Sequence, residues 1–346
     1  MISYPYSYCR AHTRSTPMME ERKQAMKKYV IRRVLSGILT IFIVFTLTFI
    51  LIKSAPGDPI RTLLGQDNDD PALQAALEEK WGLNKSLPEQ YLAYLSNAVQ
   101  GDLGTSIIYE RSVNDMIGEK VGATVLLGLT SAILALVIGT AMGIVAARHE
   151  GSAYDVVSSG VTYTMNSVPS FWLGLMLIIL FSTKLGWLPS YGMTTARKNF
   201  EGWAYVVDVM RHMALPILTL TLVTIPKYFR TAKSSVLQVM NEDFITTLRA
   251  TGMDEKKIFY KYVFRNAILP TITIFGITMA YLITGVSLIE VVFSWPGMGR
   301  LVLTAINQRD YPTLQGIYLV MSVSIAVVMI LVDIVYALFD PRIRYD

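Results

Sequence analysis

The feature that most constrains this chain is its long uncharged apolar blocks. A bilayer core about 30 Å thick needs roughly 20 consecutive apolar residues per helix, whereas a soluble core needs no run of that length. Residues 121–147 and 156–183 contain no charged residue at all. Further blocks cover residues 30–52, 213–229, 267–289 and 313–339, so the spacing predicts an all-α integral membrane protein with six transmembrane helices. Composition agrees, with 52% hydrophobic and 16% charged residues. Residues 1–25 read as a mobile extension, or as the product of a start codon placed too early, ahead of the string MKKYVIRRVL, which begins at Met26, and 26–346 as the transmembrane domain.

Six spans place both termini on one side, and cytoplasmic flanks keep an excess of Lys and Arg. With the N-terminus inside, the cytoplasmic segments hold 19 of the 31 basic residues and the external ones 12. Both termini are therefore expected in the cytoplasm. The net charge of +5 then follows from basic span flanks and requires no nucleic acid. Cys9 is alone, which excludes an internal disulfide, and His12, His149 and His212 are too scattered for metal-ligand spacing. The first apolar block is too long for a cleavable signal core and reads as an anchor.

The external segment 53–120 is polar, but Leu73, Leu77 and Trp81 recur at helical spacing, as do Tyr91, Leu95 and Val99. Two short amphipathic helices should lie there on the membrane surface or on the spans. In the second span, Gly139 and Gly143 form a small-xxx-small pair suited to close helix packing within the bundle. Pro169, Pro216, Pro226 and Pro270 interrupt apolar blocks, which membranes tolerate beside other helices or a water-filled cavity. Asn166, Pro169, Tyr281 and Asp333 are the candidates for pathway or helix-pairing contacts. Burying Asp333 at a span's centre would cost about 3 kcal/mol. Compensation should come from Arg342 or Arg344, another helix, or water.

The cytoplasmic loop 230–266 keeps helical spacing at Val236, Val239, Met240, Phe244 and Leu248. Gly252 is a natural helix end, and Asp254-Glu255 suits the start of the next helix. A helix, a break and a helix should project for docking into a groove of a soluble partner. The chain has no Gly-Lys step for a nucleotide-binding loop, no H-E-x-x-H pair and no G-x-S-x-G elbow. No catalytic, cofactor-binding or metal residue is expected.

Several strings resemble one family. PGDP at Pro56, GLNKSLPEQYLAYL at Gly82, GDLGTS at Gly101, FSWPGMGRL at Phe293, RDYP at Arg309 and VDIVYALFDPRIRY at Val332 occur in order. They are similar to the permeases of the dipeptide, oligopeptide and nickel branch of binding-protein-dependent ABC importers. Gly252 fits the glycine of that family's EAA-x-x-x-G loop, while the triad is Thr246-Thr247-Leu248 and the usual closing Leu-Pro is Phe264-Arg265. Arg249-Ala250-x-Gly252 and Arg265-Asn266-Ala267-x-x-Pro270 agree better with the peptide branch. The resemblance implies ATPase coupling through Thr246, Thr247, Leu248, Arg249, Ala250 and Gly252. It also implies a bacterial inner-membrane complex of this subunit, a homologous second permease, two ATPase subunits that bind ATP and Mg, and an extracytoplasmic binding protein. The expected cargo is short peptides, with nickel complexes or oligosaccharides as alternatives. A proton-coupled secondary transporter would show internal repeats and several intramembrane acids, and the sequence has neither.

Single cysteines placed at Asp70 and Glu255 in a Cys9→Ser background check the orientation. A membrane-impermeant thiol reagent should reach position 70 only from outside and position 255 only from inside; labelling of both from one side contradicts six spans.

Overall fold

The computed structural model describes residues 16–54, 57, 59–64 and 70–339. Cys9, His12, Pro56, Asp58, Arg342 and Arg344, and most of the extension 1–25, lie outside the described residues. Those described form helices and loops: α1 (Thr16–Ser54), α2 (Pro59–Leu64), α3 (Pro71–Lys80), α4 (Leu87–Val99), α5 (Val113–Arg148), α6 (Ala153–Ser167), α7 (Ser170–Leu177) and α8 (Gly202–Met240) come first. They are followed by α9 (Asp243–Ala250), α10 (Glu255–Ile258), α11 (Phe264–Ala267), α12 (Leu269–Ala280), α13 (Leu282–Gly285), α14 (Ser287–Val292), α15 (Met298–Gln308) and α16 (Tyr311–Phe339). Five helical segments are long and apolar enough to cross a bilayer, and α6 with the helix after it makes a sixth if that bent pair is one span.

The pair of α5 and α8 forms the centre. A Cβ on Gly139 would sit 2.8 Å from the Ile225 carbonyl oxygen and 2.9 Å from the Tyr228 Cβ, and one on Gly143 would strike the Phe229 carbonyl. The two glycines therefore let the α5 backbone lie directly against α8, inside the chain's own bundle. Around this contact Ala135, Ile225 and Tyr228 are buried together. At one end α1 and α16 pack side by side, with Gly37 against Ile330 and Ala326.

The structure alters two of the expected spans and bends a third at its proline. The fourth span was expected over 213–229, but α8 runs unbroken through Pro216 and Pro226 for 39 residues. Each proline removes one N–H from the ladder, and both are buried among neighbouring helices, where such a loss is tolerated. At 1.5 Å per residue α8 is about 58 Å long. It exceeds the hydrocarbon core, so residues 230–240, assigned from sequence to the loop, continue the helix.

The third span is not straight. Its two halves, Ala153–Ser167 and Ser170–Lys184, meet at 103°. Val168 precedes Pro169 and takes an extended backbone, with φ −82° and ψ 125°, because the proline ring disfavours the helical region there. The fifth span, expected over 267–289, divides at Tyr281 and Val286 into α12, α13 and α14.

The external segment carries α3 and α4, as the spacing predicts. Asp70 caps α3 by accepting from Ala72 and Leu73 N–H groups. In the capping box of α4, the Ser86 hydroxyl and N–H donate to Glu89 at 2.8 and 2.9 Å and hold its carboxyl below the usual range. Tyr94 stacks on Phe45 of α1 and Tyr91 meets the same ring edge-on, so α4 rests on the bundle.

Beside that platform the buried carboxylates are all satisfied by neighbours. Asp310 accepts from the Ser106 and Thr313 hydroxyls at 2.6 Å and from the Ile107 N–H at 3.2 Å. Glu290 accepts from the Thr124 hydroxyl at 2.5 Å and the Gly299 N–H at 2.6 Å, and Trp295 donates to the Ala123 carbonyl. The GDLGTS, FSWPGMGRL and RDYP strings thus lock together as structural elements. Asp208 likewise accepts from the N–H and hydroxyl of Thr195.

Gly139→Val should lower the stability of the purified protein by about 1–3 kcal/mol through overpacking. Gly122→Val, on the same helix but facing open space, should stay within about 0.5 kcal/mol. Thermal unfolding midpoints in detergent compare the two.

Candidate functional site

The first candidate region is the helix–turn–helix after α8. α8 stops at Met240, Asn241 caps it, and Glu242 starts α9. At the end of α9 the Gly252 N–H donates to the Arg249 carbonyl at 3.0 Å and the Met253 N–H to the Leu248 carbonyl at 3.3 Å. This is the Schellman arrangement, which places its glycine in the left-handed region, and Gly252 has φ +77°. Asp254 then caps α10 by accepting from the Lys256 and Lys257 N–H groups. Arg249 donates to both Glu255 carboxylate oxygens, at 2.8 and 3.4 Å, across the turn.

This unit is clamped to the bundle from below. Ile245 and Ile258 are fully buried in a cluster with Ala147, Val236, Phe259 and Val263, and Leu248 and Met253 pack against it. Arg148 at the end of α5 lies 4.7 Å above the Phe259 ring. Of the residues proposed from sequence, Leu248 therefore faces the chain's own core, whereas Thr246, Thr247, Arg249, Ala250 and Gly252 are exposed. Phe244 keeps helical spacing but does not share the inward face of Val236 and Leu248. The break at Asn241 and Glu242 resets the helical phase, so that Ile245 turns inward and Phe244 is 42% exposed. Tyr260 and Phe264 are also exposed, and nothing in their spacing separates an outward face from an inward one.

The second region is an open groove of about 430 Å³ between α5, α8 and α12, at the end of α6. Along α8 the stripe Leu220, Val223, Thr224, Lys227 and Arg230 lines it, at the three- and four-residue steps of one helix face. Asn166, at the end of α6, and Tyr281, at the fifth-span break, line the same groove. Pro169 makes the bend that ends α6 near it. The structure thus brings Asn166 and Tyr281 together. The Lys227 ammonium donates to the Thr278 hydroxyl at 3.1 Å. A cation in hydrocarbon costs about 3 kcal/mol, so cations at this depth face water or a partner.

Asp333 is elsewhere, between α16 and α1. Its carboxylate pairs with Arg33 Nε at 3.0 Å, so the compensation comes from another helix, a partner that lay 300 residues away in sequence and offered no local signal.

With this geometry in hand, the chain was compared with known proteins. Residues 139–345 match the family described as binding-protein-dependent transport system inner membrane component, and residues 26–128 match its N-terminal companion family. The chain belongs to this family. It is 38% identical to the oligopeptide transport system permease protein AppB of Bacillus subtilis (strain 168), over 92% of this chain and 100% of that one. It is 36% identical to the glutathione transport system permease protein GsiC of Escherichia coli (strain K12), again over 92% and 100%. A putative peptide permease of Brucella suis biovar 1 is 37% identical over 92% and 99%. Among solved structures, the inward-facing MetNI methionine ABC transporter shares the fold, with TM-score 0.52 and 16% identity over 65% of this chain and 96% of that chain.

The chain is accordingly a multi-pass, non-catalytic permease subunit of a binding-protein-dependent importer, whose energy source resides in a separate ATPase. In this permease the two regions are mechanically joined. The upper part of α8 lines the groove and its last turns carry Val236 into the cluster under α9 and α10. Between them Lys233 pairs with Asp155 of α6, whose carboxylate also accepts from Ser159 and the Gly151 N–H at 3.1 Å.

Removing one partner of that pair leaves a half-buried charge unsatisfied. Asp155→Ala should cost about 2 kcal/mol, while the double change Asp155→Leu with Lys233→Met should recover most of it, because both charges are then gone. The unfolding midpoints of the two variants check this.

Proposed function

We propose that this permease forms half of the translocation pathway for short peptides, and that α9 and α10 receive the movement of the ATPase subunits. The reading places both termini and the α9–α10 end in the cytoplasm, in line with the excess of basic residues there. The full assembly is this subunit, a homologous second permease, two ATPase subunits holding ATP and Mg, and an extracytoplasmic binding protein. Peptides are favoured as cargo because the names of full-length relatives specify oligopeptide, glutathione and peptide transport.

The observation that carries the mechanism is the continuity of α8. One rigid helix joins the buried base of α9 and α10 to the groove face. A displacement of α9 by a closing ATPase moves Val236, and with it the groove-lining stripe about two to four turns away. In this reading Thr246, Thr247, Arg249 and Ala250, with Phe244 and Tyr260, form the docking surface. Leu248 holds that surface on the bundle, and Gly252 sets the angle between the two helices. Asn166 and Tyr281 contribute to the pathway, Pro169 shapes its end, and Asp333 pairs α16 with α1.

The test is ATP-driven uptake of trialanine into proteoliposomes containing the whole complex. Vanadate should abolish uptake, and a proton ionophore should leave it unchanged; the reverse result would identify a secondary transporter. Competition by nickel complexes or oligosaccharides, but not by peptides, would instead assign one of those cargoes. Gly252→Val strains the turn by about 1 kcal/mol, which is small beside the stability of the bundle. It should leave insertion and folding intact while uptake and substrate-stimulated ATPase activity are lost. Unchanged stimulation in that variant would remove α9 and α10 from the coupling path.

A further inference from the structure

We infer that Lys227 and Arg230 form a subsite in the groove for the terminal carboxylate of the transported peptide. The inference rests on the peptide reading above and adds to it the chemical group that is recognised and the residues that recognise it.

Three other membrane-proximal cations are engaged by the chain itself. Lys233 is spent on Asp155, Arg33 on Asp333, and Arg148 on the face of Phe259. Lys227 and Arg230 differ from all three. They lie three residues apart on one face of α8, both line the groove, and no carboxylate among the described residues pairs with either. Among the described residues the Lys227 ammonium has one hydrogen-bond partner, the neutral Thr278 hydroxyl. Among the described residues no Asp or Glu lines the groove. Its cationic charge is therefore uncompensated by the described residues, in a concavity of a size typical of small-molecule sites.

The chemistry of the cargo matches that imbalance. Peptides of different sequence share only a backbone, an ammonium end and a carboxylate end. An acid-free groove with two cations has no partner for the ammonium, and it has a planar guanidinium and an ammonium for the carboxylate. Asn166 and Tyr281 add neutral hydrogen-bonding groups, while Leu220, Val223 and Ile277 offer apolar surface that does not discriminate among side chains. Arg230 is exposed and Lys227 half-buried, so both cations stay partly hydrated and the carboxylate is held weakly enough to leave. A permeation site needs that weakness.

The blander account is that these are ordinary basic flanks of a span, and a binding measurement separates the two. The complex is reconstituted in phosphatidylcholine nanodiscs without its binding protein, so that no anionic lipid competes. This permease carries Thr224→Cys in a Cys9→Ser background, since Thr224 lies one turn from Lys227 in the groove. Modification by N-ethylmaleimide is followed by mass spectrometry of the peptide containing residue 224, with trialanine or trialanine amide present. Trialanine should slow the modification and the amide should not. Adding Lys227→Gln with Arg230→Gln should weaken the protection at least about tenfold, as expected for loss of charged hydrogen bonds. Lys227→Arg with Arg230→Lys should retain it.

Equal protection by acid and amide, protection that survives the double Gln change, or protection by neither would each overturn the subsite. Those results leave the peptide reading standing as long as the unmutated complex takes up trialanine in proteoliposomes. Failure of that uptake for every short peptide tried would overturn the parent reading instead.

Discussion

The close contact between α5 and α8 is the constraint on which the rest of the molecule depends. In lipid no hydrophobic gain draws helices together, so association relies on van der Waals contact and on small residues that admit it. Gly139 and Gly143 bring the α5 backbone within contact of the Ile225 and Phe229 carbonyls. That approach sets the rotation of α8. Rotation in turn decides that Tyr228 and Phe229 are buried while Lys227 and Arg230 turn to the groove. A bulkier side chain at either glycine would tilt α8, and with it both the groove and the base of α9 and α10.

At the opposite end from α9 the organising principle is satisfaction of buried polar groups rather than close packing. Backbone and carboxylate groups that leave water at membrane depth must find partners within the protein. Glu290, Asp310 and Asp208 each find two or three donors, and those of Glu290 and Asp310 include groups far away in sequence. Strings that look like recognition signatures thus act as fasteners. Trp295, Phe293 and Ile107 are buried with them, which leaves their rigidity, not their chemistry, as the contribution to transport.

Much of the candidate site was legible in local terms. Gly252 was readable because a helix end needs a left-handed residue, and Asp254 because a helix start needs an acceptor. Small residues four apart at Gly139 and Gly143 announced a helix contact. The facing of Phe244 was not legible because periodicity counts residues without seeing a break, and two caps at Asn241 and Glu242 were enough to reset which side faces in. Pro216 and Pro226 were misread as interruptions, since a proline's cost depends on what surrounds the freed carbonyl and not on the proline itself. Pro169 does bend the chain, and there the residue before it shows the reason.

The sequence by itself determined the architecture class, the family, the number of apolar segments and the absence of nucleotide-binding and hydrolytic motifs, because these depend on hydropathy over about 20 residues and on contiguous strings. Tertiary structure alone decided that Arg33 answers Asp333, that Lys233 answers Asp155, and that Lys227 and Arg230 answer no acid among the described residues. Charge pairing acts over a few ångströms in space and over any distance along the chain. Which cations are consumed by the fold, and which remain to meet a solute, is therefore written only in how the helices pack.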